Sequence, residues 1–367
     1  MNMPIFDGHN DTLIHLYLPE RGKGRSFFEE SNIGQIDLPR AIKGGFTGGI
    51  FSVFAPTPKS SAEANDMYGF EFTKNGYRQT LRSSIDPQYA KNLTDAVVDF
   101  LYNLEASSEG KVSVVKTLSE LEDNIKKGIL SVVLGFEGAE AIKEDLSNLE
   151  AYYEKGLRSL GLVWSRPNSF GCGVHFEYPH TPDTGLGLTS AGEQLVKECN
   201  QLGILVDLAH ITEKGFWDVA KISTAPLVVS HADVYSLCPS TRNLTDEQID
   251  EIGKSGGIIG INFEPFNTSF DGSLVGKVTM DKLMQQVNDA PLSQIVIHIA
   301  YIVKRIGIDF VAFGSDFDGA DMPKDLKDVT GLPKLIEELK RSGYTDKDIE
   351  KIAYKNWLRV IQQTWDK

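Results

Sequence analysis

Eight short apolar segments, most of them rich in β-branched residues, recur along the chain and alternate with stretches of helical pattern. This alternation is typical of βα units whose strands form a parallel sheet. Eight strands close a (β/α)8 barrel, and 367 residues is an ordinary length for a barrel with insertions. The sequence therefore predicts an α/β fold of the TIM-barrel type. The predicted strands cover residues 5–11, 49–55, 129–137, 159–165, 203–210, 226–231, 256–263 and 309–316.

Two of the predicted connections are longer than the loops that usually join such elements. One follows strand two, from residue 56 to about residue 127. The other follows strand seven, from 264 to 308, and contains helical stretches at 279–288 and 292–305. Long insertions of this kind usually build lids or interfaces. Because the chain has no internal repeat and no low-complexity linker, we predict a single barrel domain over residues 1–367.

Helix signals lie between the predicted strands. A long helical region is expected from Pro87 to about Lys127, and a last helix over residues 347–363 is expected to pack back against the barrel. A Ser or Thr followed three residues later by an acidic or amide residue is the pattern of an N-terminal cap. This pattern occurs at Ser190 with Glu193, Thr245 with Gln248, and Thr345 with Asp348.

The composition limits the partners and the compartment. A net charge of −14 argues against nucleic acid or an anionic membrane surface as the natural partner. No apolar run reaches the roughly 20 residues of a membrane span, and a strand already begins near residue 4, which leaves no room for a signal peptide. Cys172, Cys199 and Cys238 are far apart without a metal-type spacing, so a disulfide framework is not expected. We therefore predict a cytoplasmic protein.

Metal-type side chains follow the carboxyl ends of the predicted strands, which is the face where barrel enzymes carry their chemistry. In strand one, regular alternation would place His9 and Asp11 on the same face. Taken alone, this pair could equally be a structural histidine beside a turn. The recurrence of such residues at five strand ends instead favours one common site. The six residues are His9, Asp11, Glu137, His210, His231 and Asp316.

Six ligand-type groups exceed the three protein ligands that one catalytic zinc typically uses. Two divalent ions are therefore expected, with Glu137 as the carboxylate that bridges them. In such a site a water held between the ions becomes hydroxide near neutral pH and attacks a polarised carbonyl. Asp316 is the candidate for the carboxylate that collects the proton. These groups predict a metal-dependent hydrolase with Glu137 and Asp316 as its catalytic carboxylates.

The motifs around these residues resemble the membrane dipeptidase family of binuclear zinc peptidases, within the amidohydrolase superfamily. The resemblance implies a barrel with two Zn²⁺ ions, one bound by His9 and Asp11 and the other by His210 and His231. It also implies that Arg242 binds the C-terminal carboxylate of a dipeptide, for which a guanidinium is well suited. The matching segments extend through nearly the whole chain: 7–11, 135–138, 207–210, 230–231, 240–243, 314–319 and 356–360.

Two positions depart from the mammalian members of that family. Trp164 stands where they have a histidine that stabilises the tetrahedral intermediate, and tryptophan cannot transfer a proton. Glu264 stands where they have a tyrosine that helps to bind the substrate carboxylate. We include both among the substrate-binding candidates. The loop 168–187 is expected to cover the substrate, and the residues that could replace the missing histidine are Arg166, Asn168 and His175.

The remaining histidines are not expected to bind the metal ions. His175 and His180 lie in the loop after strand four, and they are not needed as ligands because the metal set is already complete. His15 and His298 stand among apolar residues of helical segments and are expected to pack in the core. Asp318 and Gly319 are expected to shape the loop after Asp316.

The preferred function is the hydrolysis of free dipeptides, with tolerance for a D-residue at the C-terminal position implied by the resemblance. Anchoring both ends of the substrate, at Asp316 and Arg242, would restrict its length. The alternative is a related metal amidohydrolase that acts on N-acyl amino acids or lactones. A third interpretation is a metal-binding scaffold without catalysis, which Trp164 and Glu264 favour. The long insertions and the resemblance favour a homodimer.

Overall fold

The computed structural model describes residues 3–65 and 67–365, and a parallel sheet forms its centre. The sheet path runs β1, β2, β6, β7, β9, β10, β11 and β12, with β5 paired to the outside of β6. The β-strands are β1 Ile5–Asn10, β2 Phe46–Phe54, β3 Phe70–Phe72, β4 Tyr77–Gln79, β5 Val112–Val114, β6 Leu130–Glu137, β7 Leu157–Gly161, β8 Glu177–Tyr178, β9 Leu205–Asp207, β10 Val228–Val229, β11 Ile258–Ile261 and β12 Val311–Phe313.

Helices connect the strands of the sheet path. The α-helices are α1 Thr12–Tyr17, α2 Pro19–Gly22, α3 Leu38–Gly44, α4 Pro87–Ser107, α5 Leu118–Lys127, α6 Leu149–Glu154, α7 Ser190–Leu202, α8 Glu213–Ile222, α9 Asp246–Lys254, α10 Pro265–Ser269, α11 Met280–Asn288, α12 Ser293–Ile306, α13 Leu332–Arg341, α14 Asp346–Glu350 and α15 Asn356–Trp365. Short 3₁₀ turns lie at Gly272–Leu274, Ile308–Phe310 and Val329–Gly331, and a π-helical turn at Lys351–Lys355 joins α14 to α15.

The barrel is closed by contacts between β1 and the chain that follows β12. The backbone N–H of Asp11 donates to the carbonyl of Phe317 at 2.8 Å, and that of Asp316 donates to the carbonyl of His9 at 3.0 Å. The remaining neighbours along the path are hydrogen-bonded in parallel. These contacts confirm the predicted (β/α)8 barrel, and the long insertions after its second and seventh strands are confirmed as well.

Apolar side chains fill the barrel interior. Trp357 of α15 is fully buried at one end of this interior, where its indole N–H donates to the carbonyl of Phe313 at 2.9 Å. This contact confirms that the C-terminal helix packs back on the barrel. With that end closed, the functional groups gather at the opposite, carboxyl end of the strands. The interior cluster contains Phe6, Ile50, Val133, Leu205, Val228, Ile258, Ala312 and Trp357.

Several local predictions were wrong. The region 87–127 is not one helical stretch, because β5 interrupts it and adds a ninth strand to the sheet. The N-terminal cap predicted at Ser190 lies one residue earlier, at Thr189, whose side chain accepts from the N–H of Gly192. The capping boxes at Thr245 and Thr345 are confirmed. The antiparallel sheet of β3, β4 and β8 was not predicted, because its strands are very short and β8 lies far from the other two in sequence.

The carboxyl ends of several strands also differ from the prediction. Strands β9, β10 and β12 end two or three residues before His210, His231 and Asp316, so these three side chains lie on loops. Strand β1 ends at Asn10, and its register against β2 is irregular between Asp7 and Asn10. His9 and Asp11 are therefore not brought together by the regular alternation that the sequence suggested.

Candidate metal centre

The six predicted residues converge at the carboxyl end of the barrel. His9 and Glu137 lie on strands β1 and β6, and the others lie on the loops directly after β1, β9, β10 and β12. Five of the six are buried, and Asp316 keeps partial exposure. His210 and Asp316 both adopt the left-handed backbone conformation, with φ of 64°. Non-glycine residues rarely adopt this conformation outside sites where the surrounding structure enforces it.

Three carboxylates surround the Nε2 atom of His9. It lies 3.9 Å from an oxygen of Asp11, 3.9 Å from one of Glu137 and 3.9 Å from one of Asp316. His9, Asp11 and Asp316 thus offer one group of ligand atoms that lie within 4.8 Å of one another. One imidazole and two carboxylates suit a divalent ion of the zinc type.

The same oxygen of Glu137 also faces two further imidazoles. Its Oε1 lies 3.0 Å from Nε2 of His210 and 3.7 Å from Nε2 of His231. These three residues form a second group of ligand atoms within 4.8 Å. Glu137 therefore belongs to the second group, and its Oε1 also lies 3.9 Å from Nε2 of His9 in the first group, as a bridging carboxylate requires.

Each of the three central histidines has a serine hydroxyl at its Nδ1 atom, which the sequence interpretation did not foresee. Ser52 lies 3.3 Å from Nδ1 of His9, Ser165 lies 2.8 Å from that of His210, and Ser230 lies 2.8 Å from that of His231. A hydrogen bond at Nδ1 orients the ring so that Nε2 points into the site. The signal in the sequence was a hydroxyl side chain in or just after an otherwise apolar strand segment.

Asp207 is a further functional candidate that was missed, although it belongs to one of the recognised motifs. Its carboxylate accepts from the Ser230 hydroxyl at 2.5 Å, and from the backbone N–H groups of Ser230 at 2.8 Å and Ala209 at 3.1 Å. It also forms a ligand-type group with His9 and His231. Because both of its carboxylate oxygens already accept hydrogen bonds, Asp207 fits the role of an orienting residue better than that of a ligand.

Burial and neighbouring charges set the protonation of this centre. Burial lowers the pKa of His210 and of His231 well below the ordinary value, so both imidazoles are neutral. Burial raises the pKa of Glu137 well above its ordinary value, and the Asp11 carboxylate raises it further. Burial would also lower the pKa of His9, but the charges of Glu137, Asp11 and Asp316 outweigh it and raise that pKa to about 10.

The unsatisfied atoms of this centre fit divalent cations. Nε2 of His9 and Oδ1 of Asp11 are buried without a hydrogen-bond partner in the described part of the chain. The Nε2 atoms of His210 and His231 face one another at 3.1 Å. Buried groups of this kind are costly unless they are paired or bound to a metal. The donor set of three imidazoles and three carboxylates would supply both conditions for cation binding, namely ligands and neutralising charge.

A cavity of about 1030 Å³ opens over the centre and exposes Asp11, Glu137, His210 and Asp316 to a ligand. Arg242 also lines this cavity and is buried, with Nη2 donating to the carbonyl of His231 at 3.1 Å. Within residues 3–65 and 67–365, no carboxylate forms an ion pair with Arg242, so its guanidinium can bind an anionic ligand group. The cavity therefore holds a cationic anchor a short distance from a metal-type centre.

Comparison with known proteins agrees with this geometry. The family model described as membrane dipeptidase (peptidase family M19) matches residues 1–366. The chain belongs to this family. It is therefore a metallo-dipeptidase, as its motifs predicted.

Individual relatives resemble the dipeptidase over most of its length. A dipeptidase named aclJ from Aspergillus oryzae is 30% identical, covering 98% of this chain and 78% of the relative. A solved metallopeptidase from Rhodobacter sphaeroides, bound to a phosphinate mimic of L-Ala-D-Ala, is 38% identical with a TM-score of 0.88, covering 100% of both chains. A structure described as the dipeptidase AC, a metallopeptidase, is also 38% identical, with a TM-score of 0.89 over 100% of both chains.

Trp164 and Glu264 of the dipeptidase both line the cavity. The centroid of the Trp164 ring lies 4.8 Å from that of Phe54 and 5.9 Å from that of His210. Trp164 therefore forms an apolar wall beside the centre. Burial raises the pKa of Glu264 to about 8, and the charge of Asp316 adds to this shift. Glu264 is thus largely neutral at pH 7, and it accepts from the side chain of Asn267 at 2.6 Å.

The three residues considered as replacements for the family histidine have other partners. Arg166 is fully buried and bonds to Glu140 at 2.7 Å and to the carbonyl of Ala55. Asn168 shapes its own loop by accepting from Phe170 and Gly171. His175 pairs with Glu177 at 2.7 Å. None of the three lines the cavity over the centre, as far as residues 3–65 and 67–365 show, and the structure thus assigns no substitute among them.

The three remaining histidines, His298, His180 and His15, lie in different surroundings. His298 is buried, as expected, between the N–H of Val234 and the carbonyl of Thr268. His180 bonds to the backbone of Thr181 and lies outside the metal groups found in the described chain. His15 was expected in the core, but it lines the cavity and is only partly buried. Of the aromatic loop 168–187 after β7, Phe176 forms part of the cavity wall.

No helix in the described part of the dipeptidase is long and apolar enough to cross a membrane. All three cysteines are unpaired.

Proposed function

We propose that the dipeptidase binds two zinc ions and hydrolyses free dipeptides, including those with a C-terminal D-residue. The observation that carries this proposal is the position of Glu137, whose Oε1 faces His9 as well as His210 and His231, in a cavity that Arg242 also lines. His9, Asp11 and Glu137 would hold one ion, and Glu137, His210 and His231 the other. When bound, such ions polarise a carbonyl and lower the pKa of water, which is the chemistry that peptide hydrolysis needs.

The residues of the chain itself position the substrate. Arg242 would bind the C-terminal carboxylate of the dipeptide, and Asp316 would pair with its free ammonium group. Trp164 and Phe176 would exclude water from one side of the cavity, because both present aromatic rings next to the centre. Two anchors at fixed separation favour a substrate of two residues over a longer peptide, which would leave one anchor unpaired.

Asp316 is suited to hold the proton that hydrolysis releases. One of its carboxylate oxygens lies 3.9 Å from Nε2 of His9, and the other accepts from the side chain of Asn262 at 3.1 Å. The hydrogen bond from Asn262 fixes the carboxylate while the opposite oxygen faces the centre. From there it could pass a proton to the leaving amine, which must gain one when the peptide bond breaks.

A substrate panel with a metal count tests the proposal. Purified protein is loaded with Zn²⁺, its metal content is measured, and hydrolysis is followed for Ala-Ala with L or D residues at the second position and for the N-acetylated forms. We expect about two zinc ions per chain and cleavage of the free dipeptides. Preference for the N-acetylated forms would favour the alternative amidohydrolase, and no cleavage of any compound would favour a metal-binding scaffold.

Two further expectations are part of the proposal. The unpaired cysteines and the composition support a cytoplasmic location. The resemblance and the long insertions support a homodimer, which measurement of the molar mass in solution would test.

A further inference from the structure

A second cavity of about 840 Å³ adjoins the cavity over the metal centre. The small antiparallel sheet of β3, β4 and β8, together with helices α10 and α11, frames it. Its wall carries a group of aromatic and thioether side chains that includes Phe70, Phe72, Tyr77, Phe266, Met280 and Met284. We call it the side cavity.

The side cavity is continuous with the main cavity. Among the described residues, seven line both cavities and form their shared border: His15, Arg82, Trp164, Phe176, Glu264, Gly319 and Ala320. A ligand held at Arg242 and the metal centre can therefore extend a side chain past this border. Catalytic groups such as Glu137 and His210 line only the main cavity, so the side cavity takes no direct part in bond cleavage.

Several polar groups in the wall of the side cavity already have partners within the protein. The carboxylate of Asp318 binds Arg25 at 3.1 Å, that of Glu264 accepts from Asn267 at 2.6 Å, and the hydroxyl of Tyr77 lies 3.3 Å from that of Ser240. Burial of an apolar group would be favourable here, because it removes apolar surface from water on both partners.

The wall of the side cavity combines packed aromatic rings with exposed methionine side chains at its rim. Tyr77 stacks on Phe70 at 5.4 Å and packs edge-on against Phe266 at 5.6 Å. At the rim, Met67 is 58% exposed and Met280 is 42% exposed, which leaves apolar surface in contact with solvent. Flexible methionine side chains can adapt to ligands of different shape. Such a surface is typical of a binding site for apolar groups of varied form.

We propose that the side cavity binds one large apolar or aromatic side chain of the dipeptide, so that the enzyme prefers bulky dipeptides to dialanine. This inference rests on the proposed dipeptidase function and deepens it by naming the substrate class. The main cavity alone already exceeds what dialanine can fill, since cavities of roughly 300–1000 Å³ hold drug-sized ligands. A substrate with a bulky side chain would reach into the side cavity while its ends stay on the two anchors.

The test compares the zinc-loaded enzyme on alanyl-alanine, phenylalanyl-alanine and alanyl-phenylalanine. We expect kcat/KM for at least one phenylalanine dipeptide to exceed that for alanyl-alanine by about tenfold. The variant Met284→Trp narrows the side cavity and should reduce this preference about tenfold, with alanyl-alanine cleaved within about twofold of the wild-type rate. Comparing the two phenylalanine isomers identifies which residue of the dipeptide enters the side cavity.

Ile297→Trp is the matched control, because Ile297 is 44% exposed on helix α12, away from the side cavity, and its substitution should leave the preference unchanged. If Met284→Trp does not fold, judged by its thermal midpoint, Met280→Glu places a charge at the exposed rim and should lower the preference in the same way. A wild-type preference for alanyl-alanine, or a preference that neither variant alters, overturns the proposal. Loss of all cleavage in the wild type would instead reject the dipeptidase function itself.

Discussion

The hydroxyl of Ser230 lies 2.8 Å from Nδ1 of His231. The single hydroxyl proton is donated to Asp207 at 2.5 Å, so the oxygen must accept the N–H at Nδ1 of the imidazole. This arrangement leaves the lone pair of Nε2 directed at Glu137 and His210, where a metal ion would bind. The chain Asp207, Ser230, His231 thus selects the tautomer that a ligand needs.

Replacing Ser230 by alanine should weaken metal binding without removing any ligand. Loss of an outer hydrogen-bond partner typically costs about 10–100-fold in metal affinity or activity. We expect Ser230→Ala to need a higher free Zn²⁺ concentration for half-maximal activity and to recover most activity at saturation. Titration of the metal-free protein with Zn²⁺ measures this. Ser236→Ala is the control, because that serine lies on the surface and bonds to Asp246. An unchanged titration curve would contradict the role of Ser230.

Arg242 should act mainly on substrate binding. Arg242→Ala removes the proposed partner of the substrate carboxylate, so KM should rise by about 100-fold with a smaller fall in kcat. Steady-state kinetics on a free dipeptide measures both constants. Arg242→Lys keeps the positive charge but cannot form two parallel hydrogen bonds to a carboxylate. Its KM should therefore lie between those of the wild type and Arg242→Ala. An equal loss in kcat with KM unchanged would argue against carboxylate anchoring.

Asp316 should act on the chemical step. Asp316→Asn keeps the shape of the side chain but cannot take up a proton, so kcat should fall by about 10²–10⁴-fold. Metal content should stay near that of the wild type if His9, Asp11 and Glu137 bind the ion. Elemental analysis, together with kcat, separates loss of proton uptake from loss of a metal ion. Loss of one metal ion in this variant would show that Asp316 is itself a required ligand.

His298 should make the fold sensitive to acid. Its Nδ1 accepts from the N–H of Val234 at 3.0 Å and its Nε2 bonds to the carbonyl of Thr268 at 3.1 Å, so the native state needs the neutral ring. Burial lowers its pKa to about 4, and Asp233 at 3.8 Å offers little compensating charge because burial raises the pKa of that carboxyl.

The sign of the pH effect follows from this shift. Between about pH 6.5 and pH 4 the unfolded chain binds a proton at His298 that the folded chain does not, so stability falls as the pH falls through this window. The loss is on the order of 3 kcal/mol at its limit. In His298→Gln the stability should depend less on pH over the same range. Urea unfolding at pH 7, 6 and 5 compares the two proteins, and parallel pH curves would refute the assignment.

Trp357 should stabilise the closed end of the barrel. Trp357→Ala removes a fully buried ring and its hydrogen bond to Phe313, which should cost about 3–5 kcal/mol of unfolding free energy. Trp217→Ala is the matched control, because Trp217 is 37% exposed and should cost less than about 1 kcal/mol. Denaturant unfolding of both variants provides the comparison. Similar losses for the two would show that Trp357 does not support the barrel.

The sequence by itself determined the eight barrel strands, the helix caps at Thr245 and Thr345, and the residue types of the centre. Local periodicity and chain order carry this information, because parallel strands place their carboxyl ends at one edge. The strand ends were less well determined, since His210 and Asp316 adopt a left-handed backbone that only their surroundings enforce.

Only the tertiary structure decided which residues orient the ligands and where the substrate can extend. Ser52 and His9 are distant in sequence, and nothing in either segment indicates that the two side chains meet. The same holds for β4 and β8, which pair although they lie far apart in the sequence. Contacts between distant segments depend on how the whole chain packs, and a single sequence does not display them.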